Sequence, residues 1–159
     1  MKMKTNTKKI LTYVVAIAIP LAVGGLSAWV NAGKFDNASL IKPPLSPPDW
    51  LFGVVWSILF VLMGVSAARV YLHGGEGVSD ALFVWATQLA VNFLWTVFYF
   101  SFEALLLSFF WLLFLLALVI LMAVRFERIC AGAGKLQIPY TVWLIFAGYL
   151  NFATWLLNR

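Results

Sequence analysis

The chain has 159 residues, of which 64% are apolar and 17% aromatic, while only 11% carry a charge. Soluble domains average about half apolar and about a quarter charged residues, so this composition excludes an ordinary water-soluble domain. The formal net charge is +5. The basic residues stand beside apolar runs rather than among aromatic residues, which indicates membrane topology signals and argues against nucleic-acid binding. A single cysteine, Cys130, excludes an intrachain disulfide.

Five segments are long and apolar enough to cross about 30 Å of hydrocarbon as helices. Arg69 is the one charged residue inside them, and it lies close to a predicted helix end, from which a long side chain reaches the interface. The sequence therefore predicts an all-α membrane protein, a single domain over residues 1–159 built as a bundle of five transmembrane helices. The predicted helices are 10–30, 50–71, 81–100, 104–124 and 138–157.

The first apolar segment could also be a secretory signal, because two lysines precede it and Val30-Asn31-Ala32 resembles a signal-peptidase site. A signal core has about 7–15 apolar residues. This segment runs for 21 residues and contains Pro20. Its length favours a retained transmembrane helix, with cleavage as the minor alternative.

The connection over residues 32–49 is long and contains Pro43, Pro44, Pro47 and Pro48. Loops beyond about 12–15 residues are usually functional or disordered, and prolines favour a stiff, extended path. We therefore expect a lid between the first two helices, with a plain spacer as the alternative.

The distribution of lysine and arginine predicts the orientation. Eight of these residues fall on the side of the N-terminus, whereas Lys34, Lys42 and Arg159 fall on the other. Positive residues favour the cytoplasm. In a bacterial cell membrane, the sequence thus predicts a cytoplasmic N-terminus and an external C-terminus.

Candidate catalytic groups are scarce. His73, the one histidine, stands in a short loop with no Cys, His, Asp or Glu at metal-ligand spacing within a helix. Glu103 and Glu127 lie at or beyond predicted helix ends, and no Ser-His-Asp or Cys-His arrangement can be assembled. We expect no hydrolytic or metal site and no required cofactor. The predicted spans carry no carboxylate or lysine, which disfavours ion-coupled transport.

Aromatic and uncharged polar residues recur at steps of three and four on three predicted helices, so each set shares one helix face. At a rise of 1.5 Å per residue, Trp56 and Trp95 lie about 8–9 Å below the outer helix ends and Trp143 about 21 Å. These faces predict a pocket in the outer half of the bundle, with these three tryptophans as walls. The sets are Trp85, Gln88, Asn92, Trp95 and Tyr99 on the third helix; Trp56, Phe60, Met63, Gly64 and Ala67 on the second; and Trp143, Ala147, Leu150, Asn151 and Thr154 on the fifth.

Aromatic walls with the amides of Gln88, Asn92 and Asn151 suit a flat, hydrophobic ligand. Small residues and amides also join membrane helices without any ligand, so packing is at least an equal interpretation of each residue alone. Only the coincidence of the faces, their depth and the loop favours a site. Four further tryptophans suit the aromatic belt at the membrane interface: Trp29, Trp50, Trp111 and Trp155.

Several motifs follow one another along the chain. They are Lys42-Pro43-Pro44-Leu45-Ser46-Pro47-Pro48-Asp49-Trp50, then Trp56 and Met63-Gly64, then Gln88-Leu89, Asn92 and Trp95, and finally Pro139-Tyr140, Trp143-Leu144, Phe146-Ala147 and Tyr149-Leu150-Asn151. In order and spacing they resemble the tryptophan-rich sensory protein or translocator protein family (TspO/MBR, peripheral benzodiazepine receptor), in its bacterial type. The resemblance extends from the first predicted helix to the C-terminus.

The resemblance implies a homodimeric five-helix bundle that binds porphyrins and haem, and benzodiazepine- or isoquinoline-like compounds, beneath the first loop. It also implies a role in tetrapyrrole or stress signalling and a light-dependent breakdown of porphyrin in which Trp56 and Trp143 take part. The leading hypothesis is thus a membrane receptor or carrier for tetrapyrroles. The alternatives are a transporter of porphyrin, lipid or sterol, and a packing protein with no native small ligand. The candidate ligand-binding residues are Pro47, Trp50, Trp56, Phe60, Asn92, Trp95, Trp143, Phe146, Ala147, Leu150 and Asn151.

Two motifs of the family differ in this chain. The cholesterol motif of animal members has a basic residue within five positions of a tyrosine, whereas the first basic residue after Tyr149 is Arg159. Cholesterol recognition of that kind is therefore not expected. The third predicted helix carries Ala86-x-x-x-Ala90 instead of Gly-x-x-x-Gly, which permits close helix packing but does not define a dimer interface.

Overall fold

A computed structural model describes residues 2–34 and 40–159, with side chains described from residue 6 onward. These residues form five long helices and no strand, and each helix is long and apolar enough to cross a membrane. The predicted all-α membrane fold is confirmed. Part of the predicted lid loop, residues 35–39, lies outside the described residues. The helices are α1 Lys2–Asn31, α2 Asp49–His73, α3 Val78–Thr96, α4 Leu105–Ile129 and α5 Ile138–Leu157.

Most of the helices are longer than the sequence predicts, because hydropathy marks only the apolar part of a span. The 30 residues of α1 give a length of about 45 Å, which exceeds the roughly 30 Å of hydrocarbon. In contrast, α3 ends early, at Thr96, and the chain continues as a single π-helical turn over Val97–Ser101. The predicted third helix therefore has a break near its outer end.

Helix α1 packs mainly on α2, while α4 packs on both α3 and α5. The α1 and α2 backbones meet at Gly64, where an added Cβ would overlap the backbone of Ala16 and Ile17. Among the described residues, α2 and α5 make almost no close backbone contact. Aromatic side chains make the contacts between these two helices, Phe52 with Trp143 and Trp56 with Tyr140, and the remaining gap positions the candidate site.

A buried hydrogen-bond network crosses the middle of the bundle. The Tyr140 hydroxyl on α5 donates to Gln88 Oε1 at 3.0 Å and accepts from Asn92 Nδ2 at 2.9 Å. Gln88 Nε2 also contacts Met63 Sδ on α2 at 3.4 Å. All four side chains are at most 2% exposed. Because polar groups in a membrane interior must find internal partners, this network joins α2, α3 and α5 in one arrangement.

Candidate ligand-binding site

The described part of the proline-rich loop, residues 40–48 and here called the proline segment, is bonded to the outer part of α5. The Asn158 side chain pairs with the backbone of Ile41, accepting from its N–H at 2.9 Å and donating to its carbonyl at 3.0 Å. Nine residues earlier, on α5, the Tyr149 hydroxyl donates to the Pro44 carbonyl at 3.0 Å. These bonds keep the segment over the space between α2 and α5.

A cavity of about 180 Å³, here called the loop cavity, lies beneath the proline segment. Its wall is mainly apolar and aromatic, and the Lys42–Asp49 ion pair, 3.2 Å long, stands among its lining residues. Such a wall with a few polar groups is typical of a small-molecule site. The lining residues are Leu40, Lys42, Pro43, Ser46, Pro47, Asp49, Phe52, Trp95, Tyr99, Phe100, Ala147, Leu150, Asn151 and Thr154.

The π-helical turn at the end of α3 contributes two of these wall residues, Tyr99 and Phe100. The backbone N–H of Phe102 reaches the carbonyl of Val97, five residues earlier, at 3.1 Å. Such turns often occur at functional sites. Apolar periodicity carries no signal for this turn, so the sequence predicted an unbroken helix to residue 100.

Asn151 fixes one side of the loop cavity. Its Oδ1 accepts from Ser108 Oγ at 3.1 Å and from Trp95 Nε1 at 3.4 Å, and its Nδ2 donates to the Leu105 carbonyl at 2.8 Å. The amide therefore joins α3, α4 and α5 and orients the Trp95 ring. Most of its hydrogen-bonding capacity is used inside the protein, which leaves little for a ligand.

A second cavity of about 410 Å³, the α1–α2 cavity, adjoins the loop cavity. Phe52, Trp95 and Phe100 line both of them. Because α1 contributes the small residues Gly24, Gly25 and Ala28, space remains beside α2. The other lining residues are Leu21, Ser27, Gly53, Trp56, Ser57, Phe60, Asn92 and Thr96.

A chain of aromatic rings connects the two cavities. The Trp95 ring centroid is 5.8 Å from that of Tyr99 and 6.1 Å from that of Trp56, which in turn is 5.5 Å from Phe60. These separations fall in the range of favourable aromatic contacts. One aromatic wall thus runs from the proline segment to the floor of the α1–α2 cavity.

Polar side chains at the outer end of α1 bond to one another. The Ser27 and Thr96 hydroxyl oxygens lie 2.7 Å apart, and Ser101 Oγ donates to Asn31 Oδ1 at 2.7 Å. Both pairs join α1 to the end of α3 and the π-helical turn. These pairs could not be predicted from the sequence, because the partners are about 70 residues apart.

Trp143 faces a different space. With Phe146 and residues of α2 it lines an open groove of about 610 Å³ between α2 and α5, the α2–α5 groove. Phe52 stands between this groove and the loop cavity, with its ring 5.5 Å from the Trp143 ring, edge to face. The Trp143 Nε1 is buried without a hydrogen-bond partner among the described residues. Trp56 and Trp143 therefore do not face one common cavity.

Most of the sequence matches one family. The model of the TspO/MBR family matches residues 16–156. The chain belongs to the TspO/MBR family. It is 35% identical over 155 residues to the tryptophan-rich protein TspO of Chlorobaculum tepidum, covering 95% of this chain and 98% of that one. It is also 38% identical to protein CrtK of Rhodobacter capsulatus, over 92% and 90% of the two chains. The translocator protein of Bos taurus is 31% identical over 89% and 86%.

The expected site residues of this TspO/MBR family member are divided among three spaces. Five line the loop cavity: Pro47, Trp95, Ala147, Leu150 and Asn151. Trp56, Phe60 and Asn92 line the α1–α2 cavity, again with Trp95. Trp143 and Phe146 line the α2–α5 groove. Trp50 is 69% exposed and lines none of these three spaces.

The sequence did not single out Phe52 and Phe100 as site residues, nor Tyr140, which lines none of the three spaces but contacts Trp56. Phe52 and Trp56 are four residues apart on α2, so extending the aromatic face by one turn would have found Phe52. Tyr140 precedes the α5 set by one turn and contacts Trp56 with a ring separation of 5.9 Å. Phe100 depends on the π-helical turn and had no sequence signal.

Two other residues form hydrogen bonds that stabilise the fold. Trp111, assigned from the sequence to the interfacial belt, donates from Nε1 to the Val91 carbonyl on α3 at 2.8 Å. The Glu127 carboxylate accepts from the backbone N–H of Gly132 and Gly134, both at 3.0 Å, and so stabilises the loop after α4. The described residues contain no cluster of three or more His, Cys, Asp or Glu side chains that could hold a metal ion.

Proposed function

We propose that this TspO/MBR family member is a membrane receptor or carrier that binds a flat tetrapyrrole in the loop cavity and the α1–α2 cavity together. The observation that carries the proposal is the continuous aromatic wall of Tyr99, Trp95, Trp56 and Phe60. Flat conjugated ligands stack on such rings. Benzodiazepine- and isoquinoline-like compounds, which are also flat and apolar, would occupy the same wall.

The size of the two cavities supports a ligand that extends across both. Drug-sized ligands occupy about 300–1,000 Å³, whereas the loop cavity alone has about 180 Å³. Adding the roughly 410 Å³ of the α1–α2 cavity brings the site into that range. Phe52 and Phe100 line both spaces, so rotation of these rings would join them. The ligand would then lie against Trp95 and Trp56.

The Lys42–Asp49 pair gives the loop cavity a charged rim. Porphyrins such as protoporphyrin carry carboxylate side chains. We propose that one carboxylate competes with Asp49 for the Lys42 ammonium while the ring enters the apolar space. The pair is solvent-exposed, 44% and 67% on its two sides, so separating it costs little.

Light-dependent breakdown of the bound tetrapyrrole, with Trp56 and Trp143 as participants, is part of the same proposal. Indole is electron-rich, and Trp56 lies on the wall that the ligand would contact. Trp143 lies behind Phe52. Its indole would therefore act on the ligand through the Phe52 ring, or after a rearrangement that exposes Trp143 to the ligand. Separate Trp56→Phe and Trp143→Phe variants, illuminated with protoporphyrin, measure the two contributions. Full breakdown rates in both variants would contradict the role of these tryptophans.

Binding is tested by titrating protoporphyrin against the purified full chain in lipid nanodiscs and following tryptophan quenching. Ala147 is 4% exposed and lines the loop cavity, so Ala147→Phe should fill it and weaken binding at least tenfold. Ile145→Phe, on the 59% exposed face of the same helix, is the matched control and should bind like the wild type. Equal affinity of both variants would place the ligand elsewhere.

Membrane localisation follows from the family and the five spans. We further propose the bacterial cell membrane, a cytoplasmic N-terminus, an external proline segment, a homodimer, and a role in tetrapyrrole or stress signalling. Reporter fusions at both termini test the orientation. A flux assay with protoporphyrin-loaded vesicles separates the receptor from a transporter, because a receptor gives saturable binding without transfer across the bilayer.

A further inference from the structure

A fourth space lies at the opposite end of the bundle from the proline segment. This N-terminal groove, about 290 Å³ in volume, runs between the first part of α1 and the facing parts of α2 and α3. Leu11, Val15 and Ile19 of α1 form one wall, and Ala67 and Ala68 of α2 form the other. It is open to the surroundings of the bundle, which in a membrane are lipid chains.

The shape of the groove follows from two features of α1 and α2. Their backbones are held together at Gly64, and the small side chains of Ala16, Ala67 and Ala68 leave a cleft beside that contact. From Leu11 to Ile19 the cleft is about 12 Å long at 1.5 Å per residue. This length fits within one leaflet, which is about 15 Å of hydrocarbon.

A cation stands at the membrane-surface end of the groove. Thr12 lines the groove, and its hydroxyl donates to the carbonyl of Lys8, one turn earlier, at 3.0 Å. Residues three and four apart share a helix face, so Lys8, three positions before Leu11 and four before Thr12, continues the centre of the groove face, while Lys9 is turned by about 100° to the edge that carries Ala16. Neither lysine forms a salt bridge within the described residues. The groove therefore offers an apolar cleft that ends at an exposed ammonium group.

We propose that the N-terminal groove binds one anionic glycerophospholipid, with an acyl chain along Leu11 to Ile19 and the phosphate at Lys8. The apolar cleft accommodates the chain, and the ammonium selects the headgroup. One lysine near a membrane surface gives roughly fivefold preference for an anionic over a neutral lipid. This site is separate from the loop cavity and does not depend on tetrapyrrole binding.

The test reconstitutes the full chain in nanodiscs with equal amounts of phosphatidylglycerol and phosphatidylcholine, and counts retained lipids by native mass spectrometry. Ala16→Leu fills the groove, and Ala18→Leu makes the same change on an exposed position outside it. Lys8→Gln removes the cation at the centre of the groove face, whereas Lys9→Gln removes an equal charge about 100° round the helix. Circular dichroism and the melting temperature confirm that each variant is folded.

The wild type, Ala18→Leu and Lys9→Gln should retain one phosphatidylglycerol per chain, and Ala16→Leu should lose it. Lys8→Gln should retain a lipid but lose the roughly fivefold headgroup preference. If Ala16→Leu does not fold, high salt on the wild type is the second measurement: screening should abolish the preference without removing the lipid. Retention of the lipid by folded Ala16→Leu, equal effects of the two lysine variants, or a preference that persists at high salt would overturn the proposal. So would dissociation of a dimer by Ala16→Leu, which would make the groove an interface between two copies.

Discussion

Removal of a single hydroxyl from the centre of the bundle is the sharpest test of the fold. Tyr140 is 1% exposed and bonds both Gln88 and Asn92. Tyr140→Phe keeps the ring against Trp56 but leaves Gln88 Oε1 without its donor and Asn92 Nδ2 without its acceptor. Interhelical hydrogen bonds in membrane proteins contribute about 0.6–1.7 kcal/mol each. Two of them give an expected loss of about 1–3 kcal/mol in the free energy of unfolding.

The assay is equilibrium unfolding of the purified chain in mixed micelles, followed by circular dichroism. Tyr71→Phe is the matched control, since its side chain is 59% exposed, and its stability should stay within about 0.5 kcal/mol of the wild type. Gln88→Met combined with Tyr140→Phe completes a double-mutant cycle. Because the first change already removes the shared bond, the double variant should lose less than the sum of the two single losses.

Two results would refute this reasoning. If the free energies of unfolding of Tyr140→Phe and Tyr71→Phe differ by less than about 0.3 kcal/mol, the network does not stabilise the bundle. Independent mutations add only to within about that margin. If the losses of Gln88→Met and Tyr140→Phe are strictly additive, the two side chains act independently, and the hydrogen bond between them carries no free energy.

Three further changes test other contacts by the same unfolding assay or by proteolysis. Gly64→Ala should destabilise by about 1–3 kcal/mol through overpacking against α1, whereas Gly53→Ala, with open space around it, should be neutral or slightly stabilising. Trp111→Phe should lose about 0.5–1.5 kcal/mol with the bond to the Val91 carbonyl, and Trp29→Phe, at a 77% exposed position, should lose nothing measurable. Asn158→Ala removes both bonds to Ile41 and should speed cleavage of the proline segment severalfold in limited proteolysis, while Arg159→Ala should not.

The sequence predicted five spans correctly because the apolar length of a transmembrane helix is dictated by the bilayer. It also predicted the inward faces: Trp85, Gln88, Asn92 and Trp95 on α3 are all buried. These predictions need only the period of a helix. The helix ends were less accurate, since polar residues continue α1 and α4 beyond the hydrocarbon.

Trp143 shows the limit of the periodic argument. Four residues of an α-helix turn about 400°, so a set spaced by four rotates by about 40° at each step. From Asn151 to Trp143 the rotation reaches about 80°, which directs Trp143 towards the α2–α5 groove while Asn151 bonds Trp95 inside. Depth along a helix could be predicted from the sequence, but the neighbouring helix that each residue faces could not.

Side-chain partners were equally beyond the sequence. Asn92 and Asn151 suited either ligand binding or helix packing, and both bond other buried side chains here. The partners come from helices about 50 residues away, and periodicity carries no information on such pairing. The end of α3 at Thr96 could not be predicted either, because no proline or glycine marks it.

The mid-bundle network also bears on the choice between a receptor and a transporter. Asn92 lines the α1–α2 cavity, and Gln88 and Tyr140 behind it are nearly inaccessible. A tetrapyrrole moving further into the bundle would have to separate these hydrogen bonds in a low-dielectric interior, where each unsatisfied polar group costs several kcal/mol. Leaving by the proline segment would open exposed bonds, those of Asn158 and Tyr149 and the Lys42–Asp49 pair. We therefore expect the proposed ligand to enter and leave on the same side, as saturable binding without transfer across the membrane requires.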